Sequence, residues 1–201
     1  MTRKLFLVIL IIAFAGAAAL LLTHQGVSAT PQLGCKPAVF TVKTGQIFYY
    51  TVAVTDTTDV YAWQFDMSYN PTYLEFIGAY PGDHLRSDSA GNYFVQPVVT
   101  SNEVQLVANT RLSKNVGING SGYLAHLYFR AKKATTGVNS TINDHMIVNR
   151  NALNVTYSSY NSFRCKVIIS DSAPIYVQPP VGFLTNMPVI IKSPNFLVFL
   201  R

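Results

Sequence analysis

Between Cys35 and Ser170, apolar and polar residues exchange at every second position over short stretches, the two-residue period of half-buried strands. No 3.6-residue helical period competes with it. The clearest run is VYAWQFDMSYNPTYLEF, residues 60 to 76. Tyr61, Trp63, Phe65, Met67 and Tyr69 fall on one parity, and Ala62, Gln64, Asp66 and Ser68 on the other. That pattern predicts a strand with one core face, whose apolar residues would contribute roughly 8 to 15 kcal/mol of transfer energy before entropy is counted. Asn70-Pro71 ends it, because proline cannot donate to a ladder.

The neighbouring segments read the same way. Phe48, Tyr50, Val52 and Val54 alternate in a preceding strand, with DTTD (56 to 59) as the turn after it and too short for a calcium loop. YLEFIGAY (73 to 80) is extended up to Pro81-Gly82-Asp83, and the polar segment from His84 to Gly91 reads as a loop. EVQLVAN (103 to 109) sets Val104, Leu106 and Ala108 on one side, and GINGSG (117 to 122) makes the next turn. The latter lacks the Lys-Ser/Thr ending of a phosphate loop. YLAHLYFRA (123 to 131) points Tyr123, Ala125, Leu127 and Phe129 inward and His126, Tyr128 and Arg130 outward, which makes His126 an ordinary surface histidine. After an Asn/Ser-rich stretch (139 to 162), FRCKVII (163 to 169) closes the series. Short half-buried strands separated by Gly, Pro and Asn turns predict an all-β fold, a two-sheet antiparallel sandwich over residues 30 to 170.

Both ends of the chain depart from this pattern. Residues 1 to 29 read as a signal peptide: a basic start, an apolar run from Leu5 to Leu22, and a small-residue cleavage site after Ala29. The apolar run is long enough to serve instead as an uncleaved anchor. Residues 171 to 201 carry five of the ten prolines among apolar triplets, reading as a stiff linker and a hydrophobic tail. The formal net charge is +6, to which Arg3 and Lys4 of the leader contribute two, and the remaining basic residues are scattered. No basic cluster with interleaved aromatics supports a nucleic-acid partner. Membrane contact is expected only through the leader or the tail.

Two cysteines, Cys35 and Cys165, flank the strand-rich region. In an oxidising compartment they read most simply as one disulfide; the alternative is two buried thiols. Neither has a second ligand at metal-binding spacing, so no metal site is expected, and no cofactor motif occurs. Catalysis finds little support. The two glutamates, Glu75 and Glu103, sit at ordinary outward strand positions, there is no GxSxG, and His84, His126 and His145 have no triad spacing.

The run at 60 to 76, PGD at 81 to 83, VQLVANTRL at 104 to 112 and GSGYLAHLYFRAK at 120 to 132, in that order, resemble the cohesin domain. The resemblance spans about residues 38 to 170. It implies a jelly-roll sandwich of about nine strands with first and last strands adjacent, bringing Cys35 and Cys165 within bridging reach. It also implies a non-catalytic receptor module of extracellular bacterial assemblies, whose partner is a dockerin-bearing protein that carries its own calcium. One flat sheet face would make the contact, through Ala62, Gln64, Asp66 and Ser68, joined by Gln105 and Asn109. In the best-known dockerin-binding branch, the positions matching Ala62 and Gln64 carry Asn and Asp, so this sequence departs where charge-assisted hydrogen bonds are made.

Two other roles fit the same residues. A carbohydrate-binding module acting on polysaccharide would use exposed aromatics, for which Tyr80, Tyr93, Tyr157 and Tyr160 are candidates. A structural or adhesive surface protein would need no sharp site. The sequons at Asn119, Asn139 and Asn154 read as polar loop residues.

Overall fold

A computed structural model of the chain describes residues 29–86, 88, 91–112 and 116–174. The expected leader and tail therefore lie almost wholly outside the described residues. The strands are β1 (Gln32–Cys35), β2 (Val39–Val42), β3 (Ile47–Ser68), β4 (Leu74–Pro81), β5 (Asn92–Val95), β6 (Val98–Val99) and β7 (Glu103–Arg111). They continue with β8 (Ile118–Ala131), β9 (Thr135–Asn149), β10 (Ser158–Ser159) and β11 (Arg164–Ile169). The count exceeds the nine expected because the N-terminal segment splits into β1 and β2, and because β6 and β10 are two-residue pieces.

The 22-residue β3 belongs to both layers. Its first half pairs with β1 and β8, and β8 pairs onward with β4. Its second half pairs with β7 and β9, from which the sheet extends to β5 and β6 on one side and to β11 and β2 on the other. Pairing is antiparallel except for β1 with β10 and β11 with β2. The latter places the N-terminal segment beside the last strand.

DTTD is the corner where β3 changes layer, and not a turn between two strands. Asp56 and Asp59 have φ of 53° and 56°, and the pairing register to β8 slips on either side of Thr57. Such bulges bend a strand and increase its twist, which lets one chain segment serve two stacked sheets. GINGSG is likewise not a free turn but the start of β8, laid against this corner. The Gly117 N–H donates to Asp59 Oδ1 (2.8 Å), and Thr57 Oγ1 donates to the Gly120 carbonyl (2.7 Å).

The parities read from the sequence hold for the core of β3. Phe48, Tyr50, Val52 and Val54 from one layer and Trp63, Phe65 and Met67 from the other are all buried. Aromatic contacts cross between layers, as where Phe40 of β2 meets Phe48 and Tyr50 at 5.3 and 5.6 Å. Cys35 and Cys165 are joined in a disulfide between β1 and β11, with Cα atoms 5.4 Å apart, so the bond staples the two layers together.

Three expectations are corrected. In β7 a bulge at Leu106, φ 55°, breaks the simple alternation, so Val104 and Val107 point inward while Leu106 is exposed and Ala108 lies on the outer parity. His126 is buried, because Tyr49 and Tyr123 close over it and Thr51 meets its Nδ1 at 3.0 Å. The segment after Asp83 is not a wholly solvated loop: its short 3-10 turn, His84–Arg86, buries both His84 and Leu85.

Candidate functional site

The outward face of the β5–β7–β3–β9 layer brings together most of the residues expected to bind a partner. Ala62, Gln64, Asp66 and Ser68 project from β3 at its centre, and β7 runs antiparallel beside it in register, with Ala62 opposite Thr110 and Gln64 opposite Ala108. On the other side Ala62 faces Val148 and Gln64 faces Met146 of β9. Gln105 lies on the same outward face, opposite Val98. Asn109 does not. The bulge at Leu106 shifts the parity of β7, so the Asn109 side chain turns inward, 2% exposed, and its Oδ1 accepts a hydrogen bond from Asn92.

The face divides into two halves of different chemistry. Its upper half holds a shallow depression of about 160 Å³ lined by Ala62, Gln64, Val95, Ala108, Met146 and Val148. Tyr93, 60% exposed, stands opposite Thr110 beside this depression. The apolar lining is a sum of small choices: alanines at the centre of β3 and β7 leave room that the flanking Val and Met side chains border.

The lower half is a hydrogen-bonded row across three strands. Asn143 of β9 donates to Ser68 Oγ, Ser68 donates to Glu103 Oε1 (3.4 Å), and Gln105 donates to Glu103 Oε2 (2.8 Å). Between the halves, Asp66 Oδ1 accepts the Leu106 N–H at 2.8 Å. This bond holds the strained left-handed backbone of the bulge, which leaves the Leu106 side chain 44% exposed. Asp66 thus helps to shape the face through one of its two carboxylate oxygens.

The residues considered for other chemistries are dispersed. Glu75 lies on the opposite layer in an ion pair with Arg130 (2.8 Å), far in the pairing order from Glu103, so the two do not face each other across a cleft. His145 packs on Tyr157 and Phe163, whereas His84 and His126 lie near Asp83 at the other layer. Among the described residues, no group of three or more His, Cys, Asp or Glu side chains is placed to hold a metal ion. Of the four tyrosines, Tyr93 is on the candidate face, Tyr80 on the opposite layer, and Tyr160 beside Lys36. Tyr157 donates its hydroxyl to the His145 carbonyl at 2.9 Å, and burial pushes that phenol up to about 12.

A family model described as Cohesin domain matches residues 37–164, most of the sandwich. The chain belongs to the cohesin domain family. Cohesins are binding modules without catalytic activity. Among solved structures, the fold is similar to a non-cellulosomal cohesin from the archaeon Archaeoglobus fulgidus, at 16% identity and a TM-score of 0.55, covering 71% of this chain and 92% of the other. It is also similar to the solution structure of CaCohA2 from Clostridium acetobutylicum (17% identity, TM-score 0.56, covering 73% and 95%). A third is a type I cohesin–dockerin complex, Coh-OlpA-Doc918, from Clostridium thermocellum (12% identity, TM-score 0.55, covering 71% and 100%). At these identities the likeness is one of fold. No curated protein sequence matches the chain at a significant level.

Sequence reasoning missed the apolar half of the face. Val95, Ala108, Met146 and Val148 come from three strands that only the register of the sheet places side by side. The signal available was an apolar residue on an outward parity, and the bulges in β7 and β9 made that parity unreadable.

Proposed function

We propose that this cohesin module is exported and grips a dockerin-type protein, without catalysis, through the outward face of the β5–β7–β3–β9 layer. The single observation that carries this reading is the apolar depression at the centre of the sheet face, set beside a pre-formed polar row. A shallow hollow with satisfied hydrogen bonds beside it suits a helix that lays down one or two apolar anchors. Its solved relatives include cohesins captured with dockerins. An extracellular location is supported by the signal-like leader and by the disulfide between Cys35 and Cys165. The calcium of such a complex would be carried by the dockerin.

The contact residues are Ala62, Gln64, Ser68 and Gln105, with Val95, Ala108, Met146 and Val148 forming the anchor site and Asp66 shaping the bulge. With Ala62 and Gln64 in place of a charge-accepting pair, apolar burial dominates the interface. Binding therefore depends weakly on salt, since exposed ion pairs are what ionic strength screens.

The test is biolayer interferometry of the immobilised protein against a panel of purified calcium-loaded dockerins at low and high salt. At least one should bind in the micromolar range or tighter, with affinity changing less than about threefold between salts. Met146→Asp, which places a charge in the depression, should weaken binding tenfold or more at unchanged melting temperature. Absence of binding to every dockerin, or full binding by Met146→Asp, would refute the proposal.

A further inference from the structure

The opposite layer carries a row of phenol rings on its outward face. Tyr49 of β3 and Tyr128 of β8 are direct cross-strand partners, and Tyr80 of β4 sits one pair further along, opposite His126. Ring centroids are 5.1 Å apart for Tyr49 and Tyr128 and 5.3 Å for Tyr80 and Tyr128. Tyr123, 44% exposed, closes one end against His126 at 5.8 Å. Beneath the rings, the buried contact of Thr51 with His126 fixes the floor of the row. Gly78 pairs with Tyr128 and keeps the β4 side open, because a side chain there would meet little besides the Tyr80 ring at 3.8 Å. Gly78 also sits at the bulge of β4, where the register to β8 slips between Phe76 and Gly78.

Three properties of this surface narrow what it can hold. First, it offers half-buried aromatic rings set at angles to one another, 41° between Tyr49 and Tyr128 and 83° between Tyr80 and Tyr128, so that a ligand meets ring edges as well as a face for C–H stacking. Second, the central hydroxyl stays protonated, since burial together with the Tyr49 and Tyr80 phenols pushes Tyr128 up to about 12. Third, its charges are few: Arg130 pairs with Glu75 at 2.8 Å, and the Lys132 ammonium, which keeps its charge, is tied to the Pro71 carbonyl at 2.7 Å. A surface of rings and neutral hydroxyls complements a neutral, polyhydroxylated ligand. Among repeating polymers, uncharged polysaccharide has that chemistry.

We propose that the Tyr49–Tyr128–Tyr80 row binds the chain of a neutral polysaccharide, independently of the protein-binding face on the other layer. One domain would thus hold a protein on one side and a glycan on the other.

Affinity gel electrophoresis of the protein through soluble neutral glycans (xyloglucan, mixed-linkage β-glucan, galactomannan) and anionic polygalacturonate tests this. At least one neutral glycan should retard the protein, and polygalacturonate should not. Tyr80→Ala and Tyr49→Phe should weaken retardation at least tenfold and threefold respectively, whereas Tyr93→Ala on the other face should leave it unchanged. Circular dichroism melting should show each variant folded, and the dockerin affinity of Tyr80→Ala and Tyr49→Phe, measured in parallel, should be unaltered. Each of four results overturns the proposal: no retardation by any neutral glycan; equal retardation by polygalacturonate; retardation that survives Tyr80→Ala or is lost with Tyr93→Ala; or sedimentation showing self-association that Tyr80→Ala abolishes, which would make the row an interface between two copies.

Discussion

Removing the bond between Cys35 and Cys165 isolates the contribution of stapling one layer to the other. The sulfurs are 130 residues apart in sequence, and both side chains are completely buried. In the chain-entropy model, a cross-link over a loop of that length restricts the unfolded ensemble by about 5 kcal/mol at 25 °C, and measured gains run lower. Replacing both cysteines by alanine adds a small cavity cost on each side of the core. The expected loss is about 3 to 5 kcal/mol, a large share of the 5 to 15 kcal/mol typical of a domain. For a domain of this size, each kcal/mol shifts the melting temperature by about 2 to 4 °C, so the shift should be roughly 6 to 20 °C. Urea titration supplies a second signature. The unfolded chain expands once the link is gone, so the m-value of Cys35→Ala/Cys165→Ala should exceed that of the wild type. The reasoning fails if the double variant melts within about 3 °C of the wild type with an unchanged m-value.

Further outcomes follow from the same contacts. Asp66→Ala removes the acceptor that holds the Leu106 N–H in a left-handed bulge, and should cost about 1 to 3 kcal/mol in urea titration while also weakening dockerin binding. Burial holds His84 and His126 down at about 4, against the usual 6.5. The unfolded state therefore binds more protons between these values, and stability present above pH 6.5 should be lost by a few kcal/mol as pH falls to about 4. His84→Gln and His126→Gln should each flatten that slope in urea midpoints measured at pH 7 and pH 5. Gly117→Ala would drive a Cβ to 2.3 Å from the Asp59 backbone at the β3 corner, and should lower thermal stability by about 3 kcal/mol or more. Gly78→Ala, with 3.8 Å to its nearest neighbour, should stay within about 1 kcal/mol of the wild type by the same measurement.

The sequence by itself determined what two-residue periodicity can express. The inward faces of Phe48 to Val54 and Trp63 to Met67, the end of β3 before Asn70-Pro71, and the sandwich class all follow from local alternation and turn chemistry. It also carried the family, through an ordered set of short motifs. What it did not express is anything that depends on which strands become neighbours. Asn109 and Ala108 exchange faces because of one extra residue at Leu106, and a single-residue slip in a strand reverses every side chain beyond it. His126 reads as exposed along β8, yet rings contributed from β3 and its own strand enclose it. DTTD looks like punctuation, but pairing to β8 makes it a corner within one continuous strand. Both surfaces argued to bind partners arise in this way. The apolar depression collects side chains from β3, β5, β7 and β9, and the tyrosine row collects them from β3, β8 and β4. Periodicity is a property of one strand and can be read locally, whereas a surface belongs to several strands in register and exists only once the chain has folded.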